Sequence, residues 1–136
     1  MRARKAKRAR LETLRSVALF AGCTDAELRE IDRLMTEVHV PQGEQLMGEG
    51  QPGREFVVIA EGTATVTRDG EVLNNVGPGS FVGELALLDH KPRMATVTAD
   101  TSMRAYVLNT GEFGDLMRRA PGLREKIERT AAQRRD

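Results

Sequence analysis

Apolar positions recur at helical spacing near both ends of the chain and at strand-like spacing between them. After Thr24, the residues Leu28, Ile31, Leu34 and Met35 return every three or four positions, and Thr24 with Glu27 forms the S/T-x-x-E signature of a capped helix start. A helix is therefore predicted over 24–35, with Cys23 placed just ahead of the cap to pack on Leu28. From Glu37 to Leu108 the texture changes to short β-branched runs broken by Gly, Pro, Asn and Asp, which predicts a β-domain. Strands are expected at 37–40, 44–47, 55–60, 63–68, 71–73, 94–99 and 103–108. The pair Asp69-Gly70 supplies the positive φ angles of a two-residue type I′ hairpin turn. Ala95, Val97 and Ala99 alternate with Thr96 and Thr98, one face buried and one wet.

Helical spacing returns after Asn109: Thr110 is expected to cap a segment carrying Phe113, Leu116 and Met117, and Pro121 marks a break before a last helix with a thin stripe of Leu123 and Ile127. Helices, then many short strands, then helices again argue for a mainly β (α+β) domain, a β-roll or jelly-roll barrel with N- and C-terminal helices. The expected division is a basic arm or helix at 1–14, the β-roll domain at 15–120 and a lid or partner helix at 121–136.

Composition narrows the class without naming a function. A chain of 136 residues, 40% apolar and 30% charged, can bury one core without disulfides or structural metal, and two full domains would not fit. The net charge of +1 conceals six Lys and Arg within residues 2–10, with no acid among them. Such a run can attract nucleic acid or anionic lipid, or be a solvated helix extension. It does not read as a signal peptide, because amphipathic sequence follows where an apolar h-region is required. No stretch approaches the ~18 apolar residues of a membrane span. A single cysteine cannot close an internal disulfide, so a cytoplasmic location is expected.

The stretch Gly77 to Val97 is out of character with the strands around it. A short helix former, Glu84 to Leu88, follows Gly83 and precedes Pro92-Arg93. A helix N-terminus offers unpaired N–H groups and partial positive charge to a phosphate, and Arg93 adds a fixed cation. Glu84 repels a phosphate but suits a ribose hydroxyl beside it.

Gly83-Glu84-Leu85-Ala86-Leu87-Leu88 followed by Pro92-Arg93-Met94-Ala95-Thr96-Val97 resembles the phosphate-binding cassette of the cyclic nucleotide-binding domain family. That family includes catabolite activator regulators and the regulatory subunits of cyclic-AMP-dependent protein kinase. Leu19-Phe20, Gly43-Glu44, Gly50-Gln51-Pro52-Gly53 and Glu61-Gly62 look like further landmarks, so the similarity spans most of 15–120. The resemblance implies an eight-stranded antiparallel β-roll in a stand-alone sensor module that is not an enzyme. Glu84 would take the ribose 2′-OH, and Arg93 the cyclic phosphate. Backbone N–H groups of Leu85, Ala86, Met94 and Ala95 would complete the cradle, and Gly83 would permit close approach. Leu73 and Asn74 are weaker candidates near the base. Met94 departs from the small or hydroxyl-bearing residue usual after the arginine, which leans the expected ligand toward cyclic AMP, with cyclic GMP less favoured.

Two other readings compete. One makes Glu84 and Arg93 a salt bridge on a non-binding scaffold for protein interaction. The other is a metal-dependent cupin, which His39 and His90, far apart and without further clustered ligands, do not favour. The C-terminal helices are expected to shift with ligand and to dock a protein partner or a second copy of the chain. No helix-turn-helix pattern follows them, so DNA binding is not expected of this chain alone.

Overall fold

The computed structural model describes residues 10–135. Apart from Arg10, the basic run lies outside them, as does most of the expected arm at 1–14. The chain opens with helical residues 10–16 (α1), a 3-10 turn at Ala18–Phe20 and α2 (Asp25–Leu34). Eight strands follow: β1 (Thr36–Val40), β2 (Gln45–Met47), β3 (Glu55–Glu61), β4 (Ala64–Arg68), β5 (Glu71–Val76), β6 (Phe81–Val82), β7 (Thr96–Ala99) and β8 (Met103–Asn109). A short helix, α3 (Glu84–Asp89), interrupts them, and α4 (Thr110–Arg119) and α5 (Pro121–Arg134) close the fold.

The strands form two four-stranded antiparallel sheets, ordered β1-β8-β3-β6 and β2-β7-β4-β5. The sheets stay open at their edges, so the fold is a roll and not a closed barrel. Alternation along the first sheet explains how it is buried on both faces. Phe56 and Val58 of β3, with Tyr106 and Leu108 of β8, point into a core shared with Leu14, Phe20, Leu28, Ile31, Phe113, Leu116 and Ile127 of the helical layer. Val57, Ile59, Met103 and Ala105 point the other way, onto Met47, Ala64, Val76, Val97 and Ala99 between the sheets. Phe56 stands at the centre of the helical core, its ring 5.5 Å from Phe81 and 5.0 Å from Phe113.

Local chemistry sets most boundaries. Thr24 and Glu27 form the expected capping box at α2, and Cys23 packs against the core that contains Leu28. Asp69 and Gly70 carry φ of 53° and 80°, the backbone of a type I′ turn between β4 and β5. Three expectations need correction. The cap of α4 is Asn109, whose side chain accepts from Glu112 N–H at 2.8 Å, while Thr110 donates instead to Arg54 O. The strand expected from Met94 starts at Thr96, because the backbone of Arg93 is bonded to Gly50 and Gln51. Strand β6 has only two residues, too few to show a period, and was not expected.

Candidate functional site

The segment between β6 and β7 is held in place mainly by backbone. Gly83 caps α3 at φ +97°, where an added Cβ would stand 2.5 Å from Glu55 O and 2.7 Å from Arg93 Nη1, so only glycine fits. Gly53 plays a matching part opposite: a Cβ there would fall 2.1 Å from that of Ala86 and 3.2 Å from Arg93 Cζ. Arg93 N–H donates to Gln51 O and Gly50 N–H to Arg93 O, both at 2.8 Å, which aims the guanidinium back under α3.

A cavity of about 400 Å³ opens between this segment and the second sheet. Gly83, Glu84, Leu85, Ala86, Arg93, Met94, Ala95, Leu73 and Asn74 all line it, so every site residue named from the sequence is brought to one place. The neighbours Leu73 and Asn74 reach it together because β5 carries a register shift between its pairings to Val66 and Thr67, and such a bulge re-aims side chains that would otherwise alternate. Leu73 and Met94 remain 49% and 38% exposed, an apolar rim on the opening.

Arg93 is only 9% exposed, yet its head-group partners are neutral: Nη1 donates to Gly83 O at 3.0 Å and Nη2 to Glu55 O at 2.6 Å. Burial pulls its pKa below the ordinary arginine value, opposed by the more distant charges of Glu55 and Glu84. Among the described residues this buried cation has no carboxylate in contact, an arrangement that costs stability and that an anion would offset.

Glu84 is 1% exposed and does not pair with Arg93. Both its oxygens accept from Arg134 Nη1, at 2.8 and 2.9 Å, and the same nitrogen donates to Phe81 O. The Arg134 guanidinium lies 5.1 Å from the centre of the Phe81 ring. One residue on, Arg135 grips Asp89 at the far end of α3 with bonds of 2.9 and 2.7 Å, which holds the Asp89 carboxyl below its usual range. The end of α5 is therefore fastened along α3, with Gln133 and Arg134 lining the cavity. Both belong to the segment expected as a lid or partner helix, but neither was singled out: Arg134 is one of four arginines after Pro121, with nothing in its spacing to mark it. Arg68 and the apolar floor of Val66, Val76, Val82 and Val97 were likewise not anticipated. His39 and His90 are both exposed, on β1 and at the end of α3, away from this cavity.

No helix among the described residues is long and apolar enough to cross a membrane. The cyclic nucleotide-binding domain profile matches residues 37–120. A cyclic nucleotide-gated potassium channel of Mesorhizobium japonicum is 35% identical over 120 residues, covering 88% of this chain and 33% of that protein. A cAMP-dependent protein kinase regulatory subunit of Mycosarcoma maydis is 34% identical over 122 residues, covering 83% of this chain and 23% of that protein. The chain thus spans a third or less of the length of these relatives. The catabolite activator protein of Thermus thermophilus superposes with a TM-score of 0.78 at 26% identity, over 85% of this chain and 57% of that one. With a profile match over most of its length and the cassette folded around a buried arginine, the chain belongs to the cyclic nucleotide-binding domain family.

Proposed function

We propose that this chain is a regulatory module that binds cyclic AMP and passes the event to its C-terminal helices. The observation that carries the reading is Arg93, a nearly buried guanidinium on the wall of an open cavity whose partners among the described residues are carbonyl groups. A cyclic phosphodiester supplies the one negative charge that this site lacks. The cavity volume lies at the lower end of the range for small-molecule sites, which suits a mononucleotide.

The phosphate sits at Arg93 with the N–H groups of Leu85, Ala86, Met94 and Ala95 around it, and Glu84 accepts from the ribose 2′-OH. A charge-assisted arginine bond contributes about 1.5–3 kcal/mol net, whereas micromolar affinity needs about 8. The cradle, the ribose and apolar contact of the base with Leu73 and Met94 supply the rest. Met94 offers no hydroxyl to a guanine 2-amino group, which favours adenine.

Coupling to the helices runs through Glu84, the group that also fastens Arg134 of α5. A ribose on Glu84 alters the hold on α5, and the ligand shifts helix positions by as much as its affinity differs between the two arrangements. Domain limits near residues 15 and 120, a protein or homodimer partner on the C-terminal helices, and a cytoplasmic setting complete the proposal. Hydrogen exchange with cyclic AMP, against linear 5′-AMP as control, tests it. Slower exchange over 83–95 together with altered exchange over 110–135 is expected. Identical patterns with and without cyclic AMP contradict it.

A further inference from the structure

Val66, Arg68, Leu73 and Asn74 of the β4–β5 hairpin make one wall of the cavity, and Arg93, Met94 and Ala95 belong to another. The hairpin outruns its sheet: pairing of β4 with β7 ends at Thr67, opposite Thr96, so the tip from Arg68 to Glu71 projects past the last rung. The loop between β2 and β3 meets it there. Glu49 Oε1 accepts from Asp69 N–H at 3.1 Å, and Glu49 N–H donates to Thr96 Oγ1 at 3.0 Å. Asp69 is the first residue of the type I′ turn, where a backbone N–H points away from the ladder and needs an outside acceptor.

The same loop holds Arg93 by both of its backbone groups. Gly50 N–H donates to Arg93 O and Gln51 O accepts from Arg93 N–H, each at 2.8 Å, while Gln51 N–H closes the turn on Gly48 O at 3.1 Å. Three consecutive residues, 49–51, therefore reach from the hairpin tip to the arginine. Glu49 is exposed and does not line the cavity, so what it can affect is the placement of the groups that do. We infer that Glu49 is a positioning residue that ties the hairpin tip to the backbone of Arg93, so that the two walls open together and a nucleotide seated at Arg93 slows the opening of the tip. The inference takes its ligand from the cyclic nucleotide reading above, whereas the tie stands on the contacts of Glu49 alone.

Amide exchange of the full chain, Glu49→Ala and Glu49→Gln, read residue by residue by NMR with and without cyclic AMP, is the test. Without ligand, Glu49→Ala is expected to exchange about three- to tenfold faster over the tip, 69–71, through the loss of one hydrogen bond. Glu49→Gln, whose amide oxygen still accepts, stays close to the wild type. With cyclic AMP, the wild type and Glu49→Gln slow over both 69–71 and 83–95, whereas Glu49→Ala slows over 83–95 alone. A general loss of stability does not produce that split, because it speeds exchange in both segments. Tip exchange unchanged by Glu49→Ala, a Glu49→Gln as fast as Glu49→Ala, or equal slowing of the tip by cyclic AMP in all three proteins would each overturn the inference. A wild type in which cyclic AMP leaves 83–95 unchanged overturns the cyclic nucleotide reading itself, and the ligand-free comparison then still decides whether Glu49 holds the hairpin.

Discussion

Glu84 and Arg134, fifty residues apart, meet through one guanidinium nitrogen that reaches both carboxylate oxygens. The pair is lopsided: Glu84 is 1% exposed and Arg134 31%. Removing the arginine strands a buried carboxylate, whereas removing both charges does not.

Arg134→Ala is expected to lower unfolding stability by about 2 kcal/mol, below the 3–5 typical of fully buried pairs because solvent reaches the arginine. Adding Glu84→Gln to that variant recovers part of the loss. Urea denaturation of the single and double variants measures both. Additive losses would show that the two residues are not coupled.

Gly83→Ala sets a methyl group against Glu55 O and Arg93 Nη1 at a backbone φ that favours glycine. It is expected to destabilise the fold by about 1–3 kcal/mol and, by displacing Arg93, to weaken cyclic AMP binding more than any substitution on the exposed rim. Thermal denaturation and titration give the two values. A variant that binds as tightly as the wild type would mean that Arg93 is not where the phosphate sits.

Acid should loosen the end of α5. The hydrogen bonds from Arg135 hold the Asp89 carboxyl below its unfolded value, so its contribution is present above the ordinary aspartate range and is lost as pH falls through the lowered one. The stability difference between wild type and Asp89→Asn is therefore flat from about pH 7 to 5 and shrinks below about pH 4. A difference that widens on acidification would contradict the assignment.

Much of this candidate site is legible in the sequence, because its parts are consecutive. Gly83 to Ala86 and Arg93 to Ala95 lie in one run whose glycine, short helix and Pro-Arg stand out against the strands around them. Thr24 with Glu27, and Asp69 with Gly70, were equally plain, since caps and tight turns depend on near neighbours. What escaped depends on distant contacts. Arg134 reaches Glu84 only because Leu123 and Ile127 seat α5 in the helical core and, with Ala131 also buried, carry its last turn over the cavity. The bulge that turns Leu73 and Asn74 inward together is a property of the β4–β5 register, and β6 is a strand only by virtue of Val57 and Val58 beside it. A salt bridge between Glu84 and Arg93 was plausible from sequence, but each residue satisfies its head group elsewhere.

The most direct measurement is an isothermal titration of cyclic AMP into the wild-type chain and into Arg93→Ala. Saturable one-to-one binding by the wild type, lost or weakened by at least about tenfold in the variant, is the predicted result. Equal heats from the two proteins, or a wild type that takes up no nucleotide, would contradict the account.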